Sequence, residues 1–262
     1  MKSYDLIVIG AGSAGLVVAL TANRRGLRVA MLEKNKVGGE CTHTGCVPSK
    51  TFINVARTLH EARHAAELGL PPMRTADEFD FGRVMEHVDS VVQGIYEHET
   101  PQVFQDAGID TYVHPSGARF RSDREVQIGD EVLQASHIAG CTGSSPRTLD
   151  RIGPGQPTIL DNESFWQLRE QPASLMFLGG GVISAELGQA MARFGTQVTI
   201  VDHNPRILKV VDDEVAELAI GALQADGMHI ITQAHWTACG VRPDGMNVVE
   251  FERGRESGTL ET

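Results

Sequence analysis

The chain carries two copies of one pattern. Shifting the 262-residue sequence by 169 positions lays Leu6-Ile7-Val8-Ile9 on Leu175-Met176-Phe177-Leu178, Gly10 on Gly179 and Gly12 on Gly181 without a gap. Downstream, Gly15 meets Ser184, Gly26 meets Gly195, Val29 meets Val198 and Glu33 meets Asp202. Each copy reads as a buried strand, a glycine turn, an amphipathic helix closed by glycine, and a second strand ending in an acid. Gly10 and Gly179 permit the tight turn. Gly12 and Gly181 let the backbone approach a pyrophosphate at a helix N-terminus, where unbonded N–H groups and the dipole favour anions. The helix-opening residues Ser13, Ala14 and Gly15, and Val182 and Ile183 in the second copy, fall at the same place. Glu33 with Lys34, and Asp202 with His203, stand where ribose hydroxyls are held. One glycine motif alone is weak evidence. Two in strand–turn–helix context predict an α/β chain of two Rossmann-like, three-layer dinucleotide-binding domains, at 1–148 and 149–262.

A formal net charge of -11 argues against a nucleic-acid or anionic-membrane partner, since both require clustered Lys and Arg. An anionic cofactor must then be held locally. The apolar run Leu6 to Ala22 imitates a targeting signal, but Asp5, its three glycines and the parallel run at Leu175 to Ala192 mark both as folded elements. A cytoplasmic protein is expected. Between the copies, helical patterning covers 51–68 and 81–107, and strand-like runs cover 111–139. Gly69 to Asp77, with Pro71 and Pro72, is expected as a loop, and Ser144 to Gln171, with Pro146, Gly153, Pro154, Gly155 and Pro157, as a link. The final Ser257 to Thr262 reads as part of a hairpin.

Four cysteines in a chain this long make no disulfide framework, and the closeness of Cys41 and Cys46 suggests reactivity or metal binding. A regular helix separates residues five apart by ~7.5 Å along its axis, beyond usual disulfide reach, so the pair must straddle an irregular turn, which Gly45 allows. Pro48 suits the first turn of a helix beginning near Cys46, whose dipole favours a thiolate there. Lys50 follows on the same helical face. Cys41, His43 and Cys46 have zinc-ligand chemistry, yet no second Cys-x-x-Cys supplies a fourth ligand, so no metal is expected. Cys141 and Cys239 read as small core residues.

The run Gly38-Gly39-Glu40-Cys41-Thr42-His43-Thr44-Gly45-Cys46-Val47-Pro48-Ser49-Lys50 resembles that of the class I pyridine nucleotide-disulfide oxidoreductases, the family of dihydrolipoyl dehydrogenase, glutathione reductase and mercuric reductase. The resemblance runs the length of the chain, and Pro-Ser-Lys is closer to the dihydrolipoyl dehydrogenase and mercuric reductase branches. It implies FAD in the first domain and a nicotinamide dinucleotide in the second. Cys41 and Cys46 would form the redox disulfide, with Cys46 the flavin-proximal sulfur and Cys41 the interchange sulfur. Lys50 would lie near the flavin N5 and pair with Glu186, while Gly39 and Thr42 would contact the cofactor. Cys141-Thr142-Gly143-Ser144 resembles the family's Ala-Thr-Gly-Ser element near FAD, and Gly117-Ala118 the segment near adenine. Asp202 would favour NADH over NADPH, a preference that nearby His203 and Arg206 soften.

The resemblance further implies a small-molecule or protein disulfide or dithiol as substrate, or Hg(II), and a homodimer for the full-length protein. Two departures stand out. His43 occupies a position where the family usually has asparagine. The family also continues past this length with a second FAD-contacting element, the rest of the nicotinamide domain and an interface domain carrying a His–Glu pair. The chain is therefore expected to be a fragment that does not complete turnover alone. A noncatalytic dinucleotide-binding or thiol redox-sensing module is the rival reading.

Overall fold

The computed structural model describes residues 1–71, 78–147, 149, 153, 155 and 157–262. Most of the expected loop at 69–77, and Pro154 of the expected link, lie outside the described residues. In chain order the elements are β1 (Lys2–Ile9), α1 (Ser13–Arg24), β2 (Val29–Glu33), α2 (Gly39–His43), α3 (Cys46–Arg63), α4 (Phe81–Tyr96), α5 (Pro101–Asp106), β3 (Ile109–Val113), β4 (Ala118–Phe120), β5 (Glu125–Ile128) and β6 (Glu131–Gly140). There follow β7 (Ser174–Leu178), α6 (Val182–Phe194), β8 (Gln197–Val201), α7 (Asp213–Ala225), β9 (His229–Ile231), β10 (His235–Val241), β11 (Asn247–Arg253) and β12 (Glu256–Glu261). They form two compact units, Met1–Pro48 with His87–Pro146, and Ser49–Glu86 with Arg147–Thr262.

The first unit is built on a six-stranded sheet of order β3-β2-β1-β6-β5-β4, parallel from β3 through β6 and antiparallel beyond it. Its central strands read as unbroken apolar runs because both faces are covered. Val8, Val29, Met31 and Ile109 bury against Ala19 and Ala22 of α1 and Phe104 of α5. On the other face Ile7, Ala30 and Leu32 meet Val126, Ile128, Leu133 and Ala135. The single helical stretch expected at 81–107 is in fact two helices. Pro101 opens α5 and forces Thr100 into extended backbone (ψ 154°), so α4 stops short of it.

In the second unit β7, β8 and β9 form a parallel sheet, and β10, β11 and β12 an antiparallel one. Its closing hairpin pairs Arg253 with Glu256, where the sequence placed one. The strand register repeats with the sequence: Leu6 pairs with Val29 and Ile9 with Leu32, as Leu175 pairs with Val198 and Leu178 with Val201. An aromatic cluster explains why 49–86 belongs to this unit. The Phe52 ring of α3, fully buried, lies 4.9 Å from Phe194, 5.7 Å from Phe165, 6.0 Å from Trp166 and 6.2 Å from Phe81. Phe165 and Trp166 sit in a 3-10 turn inside the expected link, a segment whose core role the sequence reading missed.

Candidate cofactor and redox site

Both glycine turns sit at the C-terminal ends of parallel strands. In the first, Gly10 has φ +101°, donates its N–H to the Leu32 carbonyl at 2.7 Å, and is packed so closely on the Cys141 carbonyl that a methyl group would overlap it. The Thr142-Gly143-Ser144 segment, exposed, therefore leaves β6 beside the first turn. Gly12 caps α1 with extended backbone and no side-chain cap, and Ser13 and Ala14 are exposed behind it. A Cβ on Gly39 would stand 2.7 Å from the Gly12 Cα, so this close approach to the helix end requires glycine at 39. Lys34 lies beside Gly117, which precedes Ala118 at the start of β4, with 3.6 Å from the Lys34 Cβ to the Gly117 Cβ position. Thr42 differs from its neighbours: it is buried, and its hydroxyl donates to Glu99 Oε2 at 2.6 Å, anchoring α2 from within.

The two copies agree down to single hydrogen bonds. Ala11 N–H donates to Glu33 Oε2 at 2.8 Å, and its counterpart Gly180 to Asp202 Oδ2 at 2.5 Å. Asn35 N–H reaches Glu33 Oε1 at 2.8 Å, and Asn204 N–H reaches Asp202 Oδ1 at 2.6 Å. The carbonyl of each clamped residue accepts from a left-handed residue downstream: Ala11 from Gly38 (φ +99°, 2.9 Å) and Gly180 from Leu208 (φ +54°, 2.7 Å). Each acid thus holds its own glycine turn in shape. At Gly15 any side chain would overlap the Gly10 carbonyl. Ser184 instead donates its hydroxyl to the Gly179 carbonyl at 2.6 Å. Val182 and Ile183 open α6 with their side chains exposed, and Gly181 caps that helix with extended backbone.

Asp202 is 6% exposed, with His203 Nδ1 at 3.8 Å and the His203 ring 5.5 Å from that of His235. The expected softening role of Arg206 is corrected by its partners. Its guanidinium donates to the carbonyls of Ile207, Leu208 and Val211 and pairs with Asp213, so it braces its own loop.

Cys41 lies on α2 and Cys46 opens α3, with Pro48 in the first turn as the spacing predicted. The turn between them closes tightly: a Cβ on Gly45 would stand 2.9 Å from the Glu40 carbonyl oxygen and 3.5 Å from the Cys41 Cα. Gly45 is needed for that approach. Cys46 is exposed and Cys41 half-buried. His43 donates Nε2–H to the Val37 carbonyl at 2.8 Å and stands edge-on to Tyr96 at 5.1 Å, which fixes α2. Lys50, one helical turn beyond Cys46, is paired with Glu186 at 2.6 Å. The two are 61% and 44% exposed, and such pairs add at most about 1 kcal/mol to stability, so the pair's meaning is positional. Cys239 is buried, and burial pushes its thiol up. Cys141 is only half-buried, at a strand end.

The residues present fit dinucleotides. Protein atoms crowd out a Cβ at Gly10, Gly15 and Gly39 of the first cradle and at Gly180 of the second, and each cradle faces a helix N-terminus whose first amides lack intrahelical acceptors. Among the described residues no group of three or more His, Cys, Asp or Glu side chains is arranged to hold a metal. No described helix is long and apolar enough to cross a membrane.

Duplicated nucleotide cradles together with a dithiol at a helix start define the scaffold of a dinucleotide-binding thiol oxidoreductase. The chain belongs to the pyridine nucleotide-disulphide oxidoreductase family, whose model matches residues 4–259. It is 31% identical over 229 residues to a mercuric reductase of Staphylococcus aureus, covering 87% of this chain and 41% of that protein. It is also 31% identical over 250 residues to a dihydrolipoyl dehydrogenase of Thermus scotoductus, covering 95% and 53%. Among solved structures, the Cu(II) complex of the HOCl-induced flavoprotein disulfide reductase RclA from Escherichia coli superposes with a TM-score of 0.79 at 25% identity, covering 99% of this chain and 55% of that one. The chain spans about half the length of these relatives.

Proposed function

We propose that the chain holds FAD on its first glycine motif, in a domain at 1–148, and NADH on its second, in a domain at 149–262. It would serve a flavin-dependent oxidoreductase that passes electron pairs between NADH and the Cys41/Cys46 dithiol. The observation that carries this reading is the doubled cradle, hydrogen bond for hydrogen bond, in a chain whose second paired cysteine, Cys46, opens a helix one turn before Lys50. When bound, FAD supplies a two-electron relay from nicotinamide to sulfur. Gly10, Gly12, Ser13, Ala14 and Gly39 line the pyrophosphate path, Glu33 keeps one lone pair for a ribose hydroxyl, Lys34, Gly117 and Ala118 flank the adenine side, and Thr142 to Ser144 close the first turn. Thr42 acts through α2. On the second motif, Gly179, Gly181, Val182 and Ile183 receive the nicotinamide dinucleotide, with Asp202 and His203 at its ribose. A buried carboxylate there repels a 2′-phosphate, and Arg206 is committed elsewhere, so NADH is preferred over NADPH.

The thiol chemistry balances on two sulfurs. The Cys41 thiolate attacks a substrate disulfide, forming a mixed disulfide and releasing one substrate thiolate. The Cys46 thiolate then attacks the Cys41 sulfur, releases the second substrate thiolate and leaves a Cys41–Cys46 disulfide to be re-reduced. Glu186 holds the Lys50 ammonium one turn from Cys46. A disulfide or dithiol, small or protein-borne, or Hg(II) suits this dithiol, and the whole protein acts as a cytoplasmic homodimer. The test is to reconstitute the chain with FAD and add NADH without oxygen. Bleaching of the yellow absorbance, then a long-wavelength thiolate–flavin band that Cys46→Ser removes and Cys41→Ser retains, is expected. A chain that takes up no flavin overturns the reading and favours a module without redox turnover.

A further inference from the structure

Helix α3 ends in a second cluster that the redox reading leaves unused. His60 and His64 lie one turn apart, their rings 4.2 Å between centroids and tilted by 33°. The helical hydrogen bonding runs through both, since His64 N–H donates to the His60 carbonyl at 3.1 Å. The partner of His64 settles where that ring carries its proton. His64 Nδ1 is 2.7 Å from the His60 carbonyl oxygen, which only accepts, so Nδ1 bears the hydrogen and Nε2 of the neutral ring is a bare lone pair. His60 Nδ1 faces Asp226 Oδ1 at 3.6 Å, beyond hydrogen-bond length, where the carboxylate's charge favours a proton on that nitrogen. Asp226 is itself fixed, for its Oδ2 accepts from Gln189 Nε2 at 2.7 Å and Arg193 Nε at 3.0 Å. No hydrogen bond from the described residues reaches either Nε2. Two imidazole rings thus stand side by side, the His64 Nε2 a bare lone pair, at the carbonyl-rich end of a helix, the end whose dipole favours a cation.

We infer that His60 and His64 form a two-imidazole site for a borderline divalent cation such as Ni(II), Cu(II) or Zn(II). Histidines four apart on a helix present their rings to one ion, and imidazole selects these metals over Mg(II) or Ca(II). Part of an outer shell is in place: metal-bound histidines donate the other ring N–H to a carboxylate or a carbonyl, as His64 does to the His60 carbonyl, while the Asp226 carboxylate faces His60 Nδ1 at 3.6 Å. Because no third ligating side chain converges among the described residues, water completes the coordination, and binding is weaker than at a four-ligand zinc site. His60 follows Cys46 by about 21 Å along α3, so the site is separate from the thiols.

The probe is Ni(II), titrated calorimetrically into the whole chain carrying Cys41→Ser and Cys46→Ser, which removes competing sulfur. One saturable site is expected, weakened by more than about tenfold in His64→Ala, whose imidazole makes only the local bond to His60. With Cu(II), electron paramagnetic resonance should register two coupled nitrogens in the parent and one in His64→Ala or His60→Ala, with circular dichroism confirming that each variant is folded. If His64→Ala proves unfolded, His64→Gln replaces it, with the same expected loss. Absence of saturable Ni(II) binding, or binding unchanged in both histidine variants, overturns the inference.

Discussion

A single hydroxymethyl separates the two helix–strand crossings. Gly15 tolerates no side chain because the Gly10 carbonyl occupies its space, whereas Ser184 turns the matching carbonyl into a hydrogen-bond acceptor. Gly15→Ser is expected to destabilise the chain by about 2 kcal/mol or more through forced backbone shifts. Ser184→Gly should cost only about 1 kcal/mol, the worth of the bond lost. Urea denaturation distinguishes the two. His60 provides a pH prediction. Its folded-state affinity for protons is lowered, so the unfolded chain binds protons more readily as pH falls through the ordinary histidine range, and stability falls with it. The melting temperature should therefore drop between neutral and mildly acid pH, and His60→Gln should flatten that part of the profile. The buried Cys239, its thiol pushed up, should react last with an alkylating reagent, well after the exposed Cys46, as peptide mapping of a labelling time course would register.

Among elements, the loops that clamp the two cradles solve one problem with different residues. In both copies a left-handed residue after the second strand donates to the residue between the motif glycines. It is Gly38 in the first and Leu208 in the second. A left-handed leucine costs roughly 1–2 kcal/mol that glycine does not incur, partly offset by glycine's greater unfolded freedom. Leu208→Gly relieves that strain but removes a buried side chain worth about 2 kcal/mol or more, so it should leave the chain somewhat less stable, and Gly38→Leu should destabilise it strongly, since its φ of +99° disfavours a side chain and a Cβ there stands 2.8 Å from the Thr42 Cβ. Equilibrium unfolding of the pair measures the asymmetry. Leu208 persists because Arg206 ties the flanking carbonyls and Ile207 packs on Gly180, holding the strained turn from both sides.

For the whole molecule, two units with separate cradles imply separable ligand effects. Hydrogen exchange should slow in β1 and α1 when FAD is added, and in β7 and α6 when NADH is added, because each ligand stabilises the fold it binds. Exchange slowed in neither segment by its ligand would count against the assignment of the cradles. Much of this was legible in the residues. The doubled glycine pattern, the acids at 33 and 202, the helix start at Cys46 and the closing hairpin all follow from patterns a few residues long, where backbone geometry is set by neighbours in the chain. The break before Pro101 could have been read from that proline. Hidden from the sequence were the Phe52 cluster that draws 49–86 to the second unit, the hold of Glu99 on Thr42, the diversion of Arg206 to its own loop, and the meeting of His60 with Asp226. Local periodicity and turn chemistry determined the units of structure and the chemistry they present. Tertiary packing alone decided which distant side chain satisfies each buried polar group, because that choice depends on distance in space and the linear order does not encode it.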